Sequence, residues 1–354
     1  MVWDDVAERA VLALGVAAGE SIAVRDRAAR PEALVAVLAA LARHDLTPSL
    51  EMMPNDLLVQ ILREAPLAHL HGWDRHRIVD AERVAGALRL AGGDAPDLDG
   101  IDPARRAAWQ QAVARVEQVI ERRRVPVVVL AVPTLERARA LGCDLAALDD
   151  AVLPALAVPS SVLAELTSDA LAIAQTSTEL VIRSPGCELT MSTAGRTWLR
   201  DVGRLTDAAR AEGATVVNLP SGSIYTTVVE PSVSGTVRVD ALAACRDVVL
   251  TFADGRISGI AASVGDVASV EALFDTSSGE ARRISHVGIG LNPAVGAAAR
   301  GWVLVEENAS GSVYLALGEN RYLGGANESS LNVDAVVSGG SLWAGGRHVH
   351  AAAR

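Results

Sequence analysis

The sequence predicts an α/β amino-terminal domain with a mostly parallel sheet, followed by a β-rich, α+β carboxyl-terminal domain. Residues 1–184 alternate short apolar runs with amphipathic helical stretches, as βαβ units do. From residue 185 onward Gly and Ser become frequent and apolar residues alternate with polar ones, which favours antiparallel strands. The length of 354 residues fits two domains. We therefore predict one domain over 1–184 and a second over 185–354, which carries the functional motifs.

The first domain contains three apolar segments that are predicted strands and three segments that are predicted helices. Residues 127–132 form a β-branched run between two prolines, which is typical of a buried strand. Pro31 and Pro103 stand where helices begin, and Asp102 supplies an N-cap. No G-x-G-x-x-G follows the first strand, so the sequence gives no support for a dinucleotide site. The predicted strands are 21–25, 49–52 and 127–132, and the predicted helices are 31–44, 54–64 and 103–123.

The second domain is dominated by short, alternating segments. Residues 246–263 are predicted to form two strands around Ala253-Asp254-Gly255, because Asp-Gly between alternating segments is a strong hairpin signal. Helical segments are predicted at 203–211 and 267–274.

Charge and composition exclude several classes of function. The 32 basic residues are all Arg, and 43 acidic residues give a formal net charge of −11, so we expect neither a nucleic-acid partner nor an anionic membrane surface. Without Lys, the chain cannot form a Schiff base with pyridoxal phosphate or use a phosphate-loop Lys.

Cysteine usage and the length of the apolar segments bear on location. Cys143, Cys187 and Cys245 form no C-x-x-C, which argues against a disulfide framework or a structural zinc cluster. The longest apolar stretches run about ten residues, against the ~18 that a membrane span needs. We expect a cytoplasmic protein with no membrane partner.

A series of ordered motifs spans roughly residues 186–337. On these motifs the sequence resembles the metalloaminopeptidase family typified by aminopeptidase T, and also its sister family of iron-dependent 2,5-dihydroxypyridine 5,6-dioxygenases. The resemblance implies a divalent-metal enzyme that forms a homo-oligomer, a dimer or higher, through its carboxyl-terminal half. The motifs are C-E-L-T-M-S at 187–192, N-L-P-S-G at 218–222, the segment 230–235, G-I-G-L-N-P at 288–293, and the segments 311–318 and 329–334.

At the positions where the aminopeptidases hold their metals, the chain departs from the pattern of that family. Of the six ligand positions that the resemblance implies, this sequence keeps one, Asp334. A two-metal site needs carboxylates to balance roughly four positive charges. We therefore expect the aminopeptidase fold without a working aminopeptidase. The residues at the other five positions are Ser223, His286, Tyr314, Arg321 and Asn332.

The dioxygenase branch gives the closer local match. The segment I-S-H-V-G at 284–288 resembles that branch, which places an iron-binding His at His286 and two further ligands at Asn332 and Asp334. Non-haem iron(II) favours imidazole and carboxylate ligands on one face. The leading hypothesis is thus a mononuclear Fe(II) or other divalent-metal site made of His286, Asp334 and Asn332, with ring-opening, dioxygenase-like chemistry. The alternatives are a metal-free hydrolase, cyclase or lyase that uses His286–Asp334 acid–base chemistry, or a non-catalytic binding protein or partner subunit.

Residues of the same motifs form the predicted pocket for a small molecule. His286 is predicted to be a metal ligand or general base, and Asp334 its charge partner or co-ligand. The chain's three tyrosines all fall within the span of the motifs, residues 186–337, which suggests a pocket for a planar or polar ligand such as an aromatic or carboxylate-bearing substrate. Arg321 is predicted to anchor a substrate carboxylate. Tyr314 completes the predicted catalytic set, and the other predicted substrate-binding residues are Tyr225, Ser223, Tyr322 and Asn332.

Overall fold

A computed structural model gives the fold of residues 2–92, 96, 98, 100–205, 210 and 214–350. The chain divides into two compact units. The first unit comprises Met1–Ala157 and Gly203–Leu219, and the second comprises Val158–Val202 and Pro220–Arg354. This division differs from the predicted boundary at 184, because residues 158–184 join the second unit and 203–219 return to the first.

The first unit is built on a parallel sheet, sheet A, in the order β2-β1-β3-β4-β8. Residues 203–219 return to this unit because β8 pairs with β4 as an edge strand. The strands of sheet A are β1 (Ser21–Asp26), β2 (Thr47–Met52), β3 (Gly86–Ala91), β4 (Val127–Ala131) and β8 (Val216–Leu219). The helices are α1 (Val2–Leu14), α2 (Pro31–Arg43), α3 (Asn55–Glu64), α4 (Leu67–His71), α5 (Arg75–Ala81), α6 (Pro103–Arg122), α7 (Leu135–Ala140) and α8 (Leu145–Ala157).

The elements predicted for this unit are confirmed to within a few residues. The Asp102 carboxylate accepts hydrogen bonds from the N–H groups of Ala104 and Arg105, at 2.8 and 3.2 Å, as an N-cap does. The α/β class with a parallel sheet is likewise confirmed. Most of the helical segment predicted at 203–211 lies outside the described residues.

The second unit contains two antiparallel sheets. Sheet B has the order β12-β11-β10-β6-β5-β16-β17, and sheet C has the order β15-β14-β13-β9-β7. The strands are β5 (Glu179–Ser184), β6 (Cys187–Ser192), β7 (Trp198–Asp201), β9 (Ser223–Thr227), β10 (Ser234–Leu242), β11 (Cys245–Ala253), β12 (Arg256–Val264), β13 (Ile284–Gly290), β14 (Val313–Gly318), β15 (Asn332–Val336), β16 (Ser341–Ala344) and β17 (Arg347–His348). The helices are α9 (Ser160–Ala174), α10 (Ala268–Asp275) and α11 (Val303–Glu306).

The predicted hairpin and the predicted helix at 267–274 are both present. Strands β11 and β12 pair through Ala253 and Arg256, which leaves a two-residue loop. Asp254 and Gly255 both adopt positive φ, at 49° and 75°, as a type I′ turn requires.

Apolar side chains of sheets B and C form one buried core in the second unit. Sheet B contributes residues such as Ile182 and Leu250, and sheet C contributes Val287, Ile289 and Leu315. Because side chains alternate across a strand, the intervening residues of sheet C lie on its opposite face. That face carries the predicted site residues that belong to sheet C, whereas Arg321 and Tyr322 lie in a short 3-10 turn between β14 and β15.

In the described part of the chain, no single helix is long and apolar enough to cross a membrane. Helices α8 and α9 reach that length and composition only when they are taken together across the break between them.

Candidate active site

The pairing register of sheet C brings three polar side chains to the same face. His286 on β13 lies opposite Thr227 on β9 and Ala316 on β14, and Ala316 lies opposite Asp334 on β15. Directly opposed residues of adjacent strands point to the same side of a sheet. Since Ala316 is small, the side chains of His286 and Asp334 approach each other across it. Their Nε2 and Oδ1 atoms are 3.6 Å apart.

Two tyrosines flank His286 on this face. Gly288 lies opposite both Tyr225 and Tyr314. The ring of Tyr314 covers Gly288, since a Cβ atom added there would lie 2.4 Å from its hydroxyl oxygen. The centroid of the His286 ring is 5.6 Å from that of Tyr225 and 6.0 Å from that of Tyr314. The rings of Tyr225, His286 and Tyr314 therefore form one aromatic wall of the site, with the imidazole in its centre.

Ser223 and Asp201 extend this face on the side of β7. Ser223 on β9 is opposite Asp201 on β7 and Gly290 on β13. The Tyr314 hydroxyl donates to Ser223 Oγ at 3.5 Å. Asp201 lies outside the sequence motifs, and it reaches the site because β7 pairs with β9.

Hydrogen bonds to Ser285 fix the tautomer of His286. The Ser285 hydroxyl donates its proton to the carbonyl oxygen of Glu319 at 2.6 Å. Ser285 Oγ must then accept the hydrogen bond from His286 Nδ1, which is 3.1 Å away. Neutral His286 therefore carries its proton on Nδ1, and the lone pair of Nε2 faces Asp334.

Burial shifts the pKa of each member of this pair in the direction that favours its uncharged form. It lowers the pKa of His286 to about 4 and raises the pKa of Asp334 to about 6. At neutral pH an unprotonated Nε2 therefore faces a carboxylate. Two acceptors at 3.6 Å repel each other unless a proton, a hydrogen-bond donor or a cation lies between them.

Glu307, directly after α11, is a site residue that the sequence did not reveal. Its side chain is buried, and burial raises its pKa well above the ordinary value, with the charges of Asp334 and Asp201 adding to the shift. Burial and the charge of Glu307 also raise the pKa of Tyr314, which stays protonated. The face is thus strongly acidic. No motif marks Glu307, because its proximity to Asp334 arises only in the folded chain.

Thr227 is a second residue that the sequence did not single out. Its hydroxyl is buried, and it has no hydrogen-bond partner among the residues that the structure describes. An unsatisfied buried hydroxyl costs roughly 1–3 kcal/mol. Beside His286, such a group is expected to bind a ligand or water.

Tyr322, Asn332 and Arg321 have more exposed positions. The Asn332 amide donates to the Tyr322 hydroxyl at 3.3 Å. Arg321 forms ion pairs with Glu319 at 3.1 Å and Glu328 at 3.2 Å, and 55% of its side chain is exposed. Two carboxylates therefore already neutralise Arg321, which does not support its predicted role as an anchor for a substrate carboxylate.

The donor set does not fit the three-ligand metal centre that the sequence suggested. Within the described part of the chain, no group of three His, Cys, Asp or Glu residues could hold a metal ion. His286 and Asp334 share a focus, but the third predicted ligand, Asn332, offers only a neutral amide oxygen, a weaker ligand than an imidazole. A protein site for iron or zinc normally needs at least three ligands.

Comparison with known proteins identifies the family. The model of the thermophilic metalloprotease (M29) family matches residues 12–341, so the chain belongs to this family. Wild-type AmpT from Thermus thermophilus has a similar structure, with 21% identity, a TM-score of 0.74, and coverage of 96% of this chain and 94% of AmpT. The 2,5-dihydroxypyridine dioxygenase from Pseudomonas putida is also similar, with 15% identity, a TM-score of 0.60, and coverage of 99% and 95%. No curated protein matches the sequence.

These findings confirm the resemblance seen in the motifs and the fold class. The family is one of enzymes, and both similar structures are those of enzymes. At 21% and 15% identity, the structural similarity shows the fold alone. The reaction must be argued from the site of this chain.

Proposed function

We propose that this chain is a small-molecule enzyme that works by acid–base chemistry at the His286–Asp334 pair and is not a working aminopeptidase. The observation that carries the proposal is the unprotonated Nε2 of His286 facing Asp334 Oδ1 at 3.6 Å. A water molecule or a substrate NH2 group that bridges these atoms has two donor hydrogens and would satisfy both acceptors, whereas a substrate O–H would donate to Nε2. His286 would then be within reach of the proton that it removes.

The surrounding residues support this role. His286 Nε2 accepts the proton, and the charge of Asp334 stabilises the imidazolium that results. The buried Tyr314 hydroxyl stays protonated, and it can exchange its long 3.5 Å hydrogen bond to Ser223 for one to negative charge that develops on the substrate. Proton transfer of this kind suits hydrolysis, cyclisation or elimination.

The charges on the face narrow the class of substrate. Asp201 and Asp334 place negative charge beside the buried carboxyl group of Glu307 and raise its pKa, and Arg321 is neutralised by its own carboxylate partners. An anionic substrate would be repelled, so the predicted carboxylate-bearing substrate is replaced here by a neutral or cationic one. The aromatic wall of Tyr225, His286 and Tyr314 favours a planar body.

A mononuclear divalent metal is the second candidate. It is favoured by the same two acceptor atoms, Nε2 and Oδ1, which face one point. We place it second because Asn332 offers only a weak amide oxygen and no third ionisable ligand converges within the described chain.

Ester hydrolysis by matched variants separates the two candidates. The probe is 4-nitrophenyl acetate, a neutral planar ester, and the protein is purified without chelator and assayed for metal per chain. The general-base role predicts a rate at least 100-fold lower in His286→Asn. The rate should be unchanged in His76→Asn, which alters an exposed His of the first unit, and it should survive EDTA.

Two results would count against the acid–base proposal. Equal rates in the parent and His286→Asn would remove His286 from the chemistry. A rate that is lost in EDTA and regained with Fe(II) would favour the mononuclear metal.

A further inference from the structure

The first unit contains a cavity that the proposed chemistry does not use. Its volume is about 560 Å³, within the range of small-molecule sites. It lies beside the carboxyl-terminal ends of β1 and β3, and its lining includes Asp26, Arg27 and Ala91. After β1 the chain continues to β2 on one side, whereas β3 pairs with β1 on the other. Open parallel sheets bind ligands at such a switch point.

Four arginines line the cavity, and three of them are already neutralised. Arg25 pairs with Asp80 at 2.8 Å, Arg77 with Glu51 at 2.7 Å, and Arg89 with Glu117 at 2.5 Å. These three ion pairs leave little positive charge for a ligand.

Arg27 is different from these three. Among the residues that the structure describes, no carboxylate lies within ion-pair distance of its guanidinium group. Burial and the neighbouring charge of Arg89 lower the pKa of Arg27, whereas Glu51 and Glu117 act in the opposite direction. Glu121 is a further carboxylate in the lining. The cavity therefore offers one guanidinium group without a direct ionic partner.

Asp26 supplies an unsatisfied acceptor to the same cavity. Its side chain is buried, and Oδ1 accepts hydrogen bonds from the N–H groups of Ala28 and Ala29 at 2.9 and 3.0 Å. Oδ2 is buried and has no hydrogen-bond partner in the described chain. A buried carboxylate oxygen in this state is stabilised by a donor from a ligand.

The walls of the cavity are apolar and aromatic. Trp73, Trp109, Met53 and Leu58 contribute to the lining. The guanidinium group of Arg77 stacks on Trp73, 4.1 Å from the ring centroid. Broad, rigid side chains of this kind suit a planar ligand body.

We propose that this cavity binds a small planar carboxylate that also carries an N–H or O–H donor. The carboxylate pairs with Arg27, the donor reaches Asp26 Oδ2, and the planar body packs between the aromatic and aliphatic walls. A monoanion is favoured over a phosphate dianion. Of the four cavity arginines, only Arg27 lacks an ionic partner among the described residues, and the carboxylate of Glu121, which forms no ion pair there, would repel a second negative charge.

Indole-3-acetate tests the proposal, because it combines a carboxylate, a planar ring and a ring N–H. Isothermal titration calorimetry of the full chain should give saturable binding. Indole-3-acetamide lacks the charge and 1-methylindole-3-acetate lacks the donor, so each should bind about tenfold more weakly or worse. Arg27→Gln should weaken indole-3-acetate binding by a similar factor. Arg83→Gln, which alters an exposed Arg outside the lining, should not.

A second variant tests the location of the site. Val113→Phe places a larger side chain at the cavity wall and should also weaken binding, with its folded state checked by thermal unfolding. No saturable binding of indole-3-acetate by the parent would overturn the proposal. So would equal affinities in the parent, Arg27→Gln and Val113→Phe. His286→Asn is expected to bind the probe as the parent does, which keeps this site separate from the proposed chemistry of the second unit.

Discussion

The hydroxyl of Tyr314 lies 3.5 Å from Ser223 Oγ, and the Tyr314 ring lies directly over the backbone of Gly288. Tyr314 and Ser223 belong to strands on either side of β13. The tyrosine can reach across that strand only because position 288 has no side chain.

Gly288→Ala is therefore expected to displace the Tyr314 ring. The new methyl group would lie 2.4 Å from the hydroxyl oxygen, much closer than real contacts allow. We expect a destabilisation of roughly 1–3 kcal/mol by overpacking and a loss of ester hydrolysis. Thermal unfolding and rate measurements check both effects. In the control Gly259→Ala, the nearest atom is 3.5 Å from the new methyl group, so both properties should stay near those of the parent.

The rate of ester hydrolysis should depend on pH through Asp334. Burial raises the pKa of this carboxyl to about 6 and lowers the pKa of His286 to about 4. Nε2 is therefore unprotonated across the neutral range, and ionised Asp334 stabilises the imidazolium above pH 6. The rate should rise as the pH increases through about 6, and Asp334→Asn should lack this inflection. A parent rate that falls over the same interval would contradict the assigned roles.

Glu230 is expected to stabilise the second unit in a pH-dependent way. Burial opposes its ionisation, but hydrogen bonds from Ala326 N–H and the Asn320 amide, with the charge of Arg196, lower its pKa below the ordinary value. The stabilisation is thus complete above the unfolded pKa of ~4.3 and is lost as the pH falls through the lower folded value.

Glu230→Gln should cost roughly 3 kcal/mol at pH ~7, because it leaves the Arg196 charge without a carboxylate partner. Urea unfolding measures the difference between parent and variant, which should shrink in acid. In the control Glu271→Gln, the carboxylate is 43% exposed in its pair with Arg282, so a cost of at most ~1 kcal/mol is expected. Equal costs for the two variants would contradict a buried role for Glu230.

Asn332→His should strengthen divalent-metal binding. Positions 332 and 334 are two residues apart on β15, so their side chains share a face. An imidazole in place of the amide would add a third good ligand to His286 and Asp334. Anaerobic titration calorimetry with Fe(II) measures the gain, and the double variant Asn332→His/Asp334→Asn should lose it. An unchanged affinity in Asn332→His would show that the three side chains do not converge.

Leucine 4-nitroanilide should not be hydrolysed above background, with or without added cobalt or zinc. A two-metal aminopeptidase needs bridging carboxylates, and in the described chain only Asp334 keeps one of the implied ligand positions. Turnover of ~1 s⁻¹ that is lost on chelation and restored by metal would refute this prediction.

Local sequence signals predicted the elements well. The two-proline frame of β4, the Asp102 cap of α6 and the Asp254-Gly255 turn each act over a few residues, and each appears in the structure. Membership of β8 in sheet A was not predicted, because strand partners depend on contacts between distant segments.

The candidate site was predicted only in part, for the same reason. The motifs led to His286, Asp334 and the tyrosines. Asp201, Thr227 and Glu307 join them through strand pairing and packing, which leave no local pattern. Arg321 matched a motif position, but its ion pairs with Glu319 and Glu328 depend on the loop around it. The cytoplasmic location, the homo-oligomer and the substrate class stay predictions.

The return of residues 203–219 to the first unit has a consequence for engineering and for evolution. The chain passes between the units at three junctions, after Ala157, Val202 and Leu219. A fragment that ends at 184 would lack β8 and would leave the edge of β4 open to pairing with other molecules. An exchange of whole units between relatives therefore requires recombination at all three junctions at once. We expect, as a result, that the two units have been inherited together.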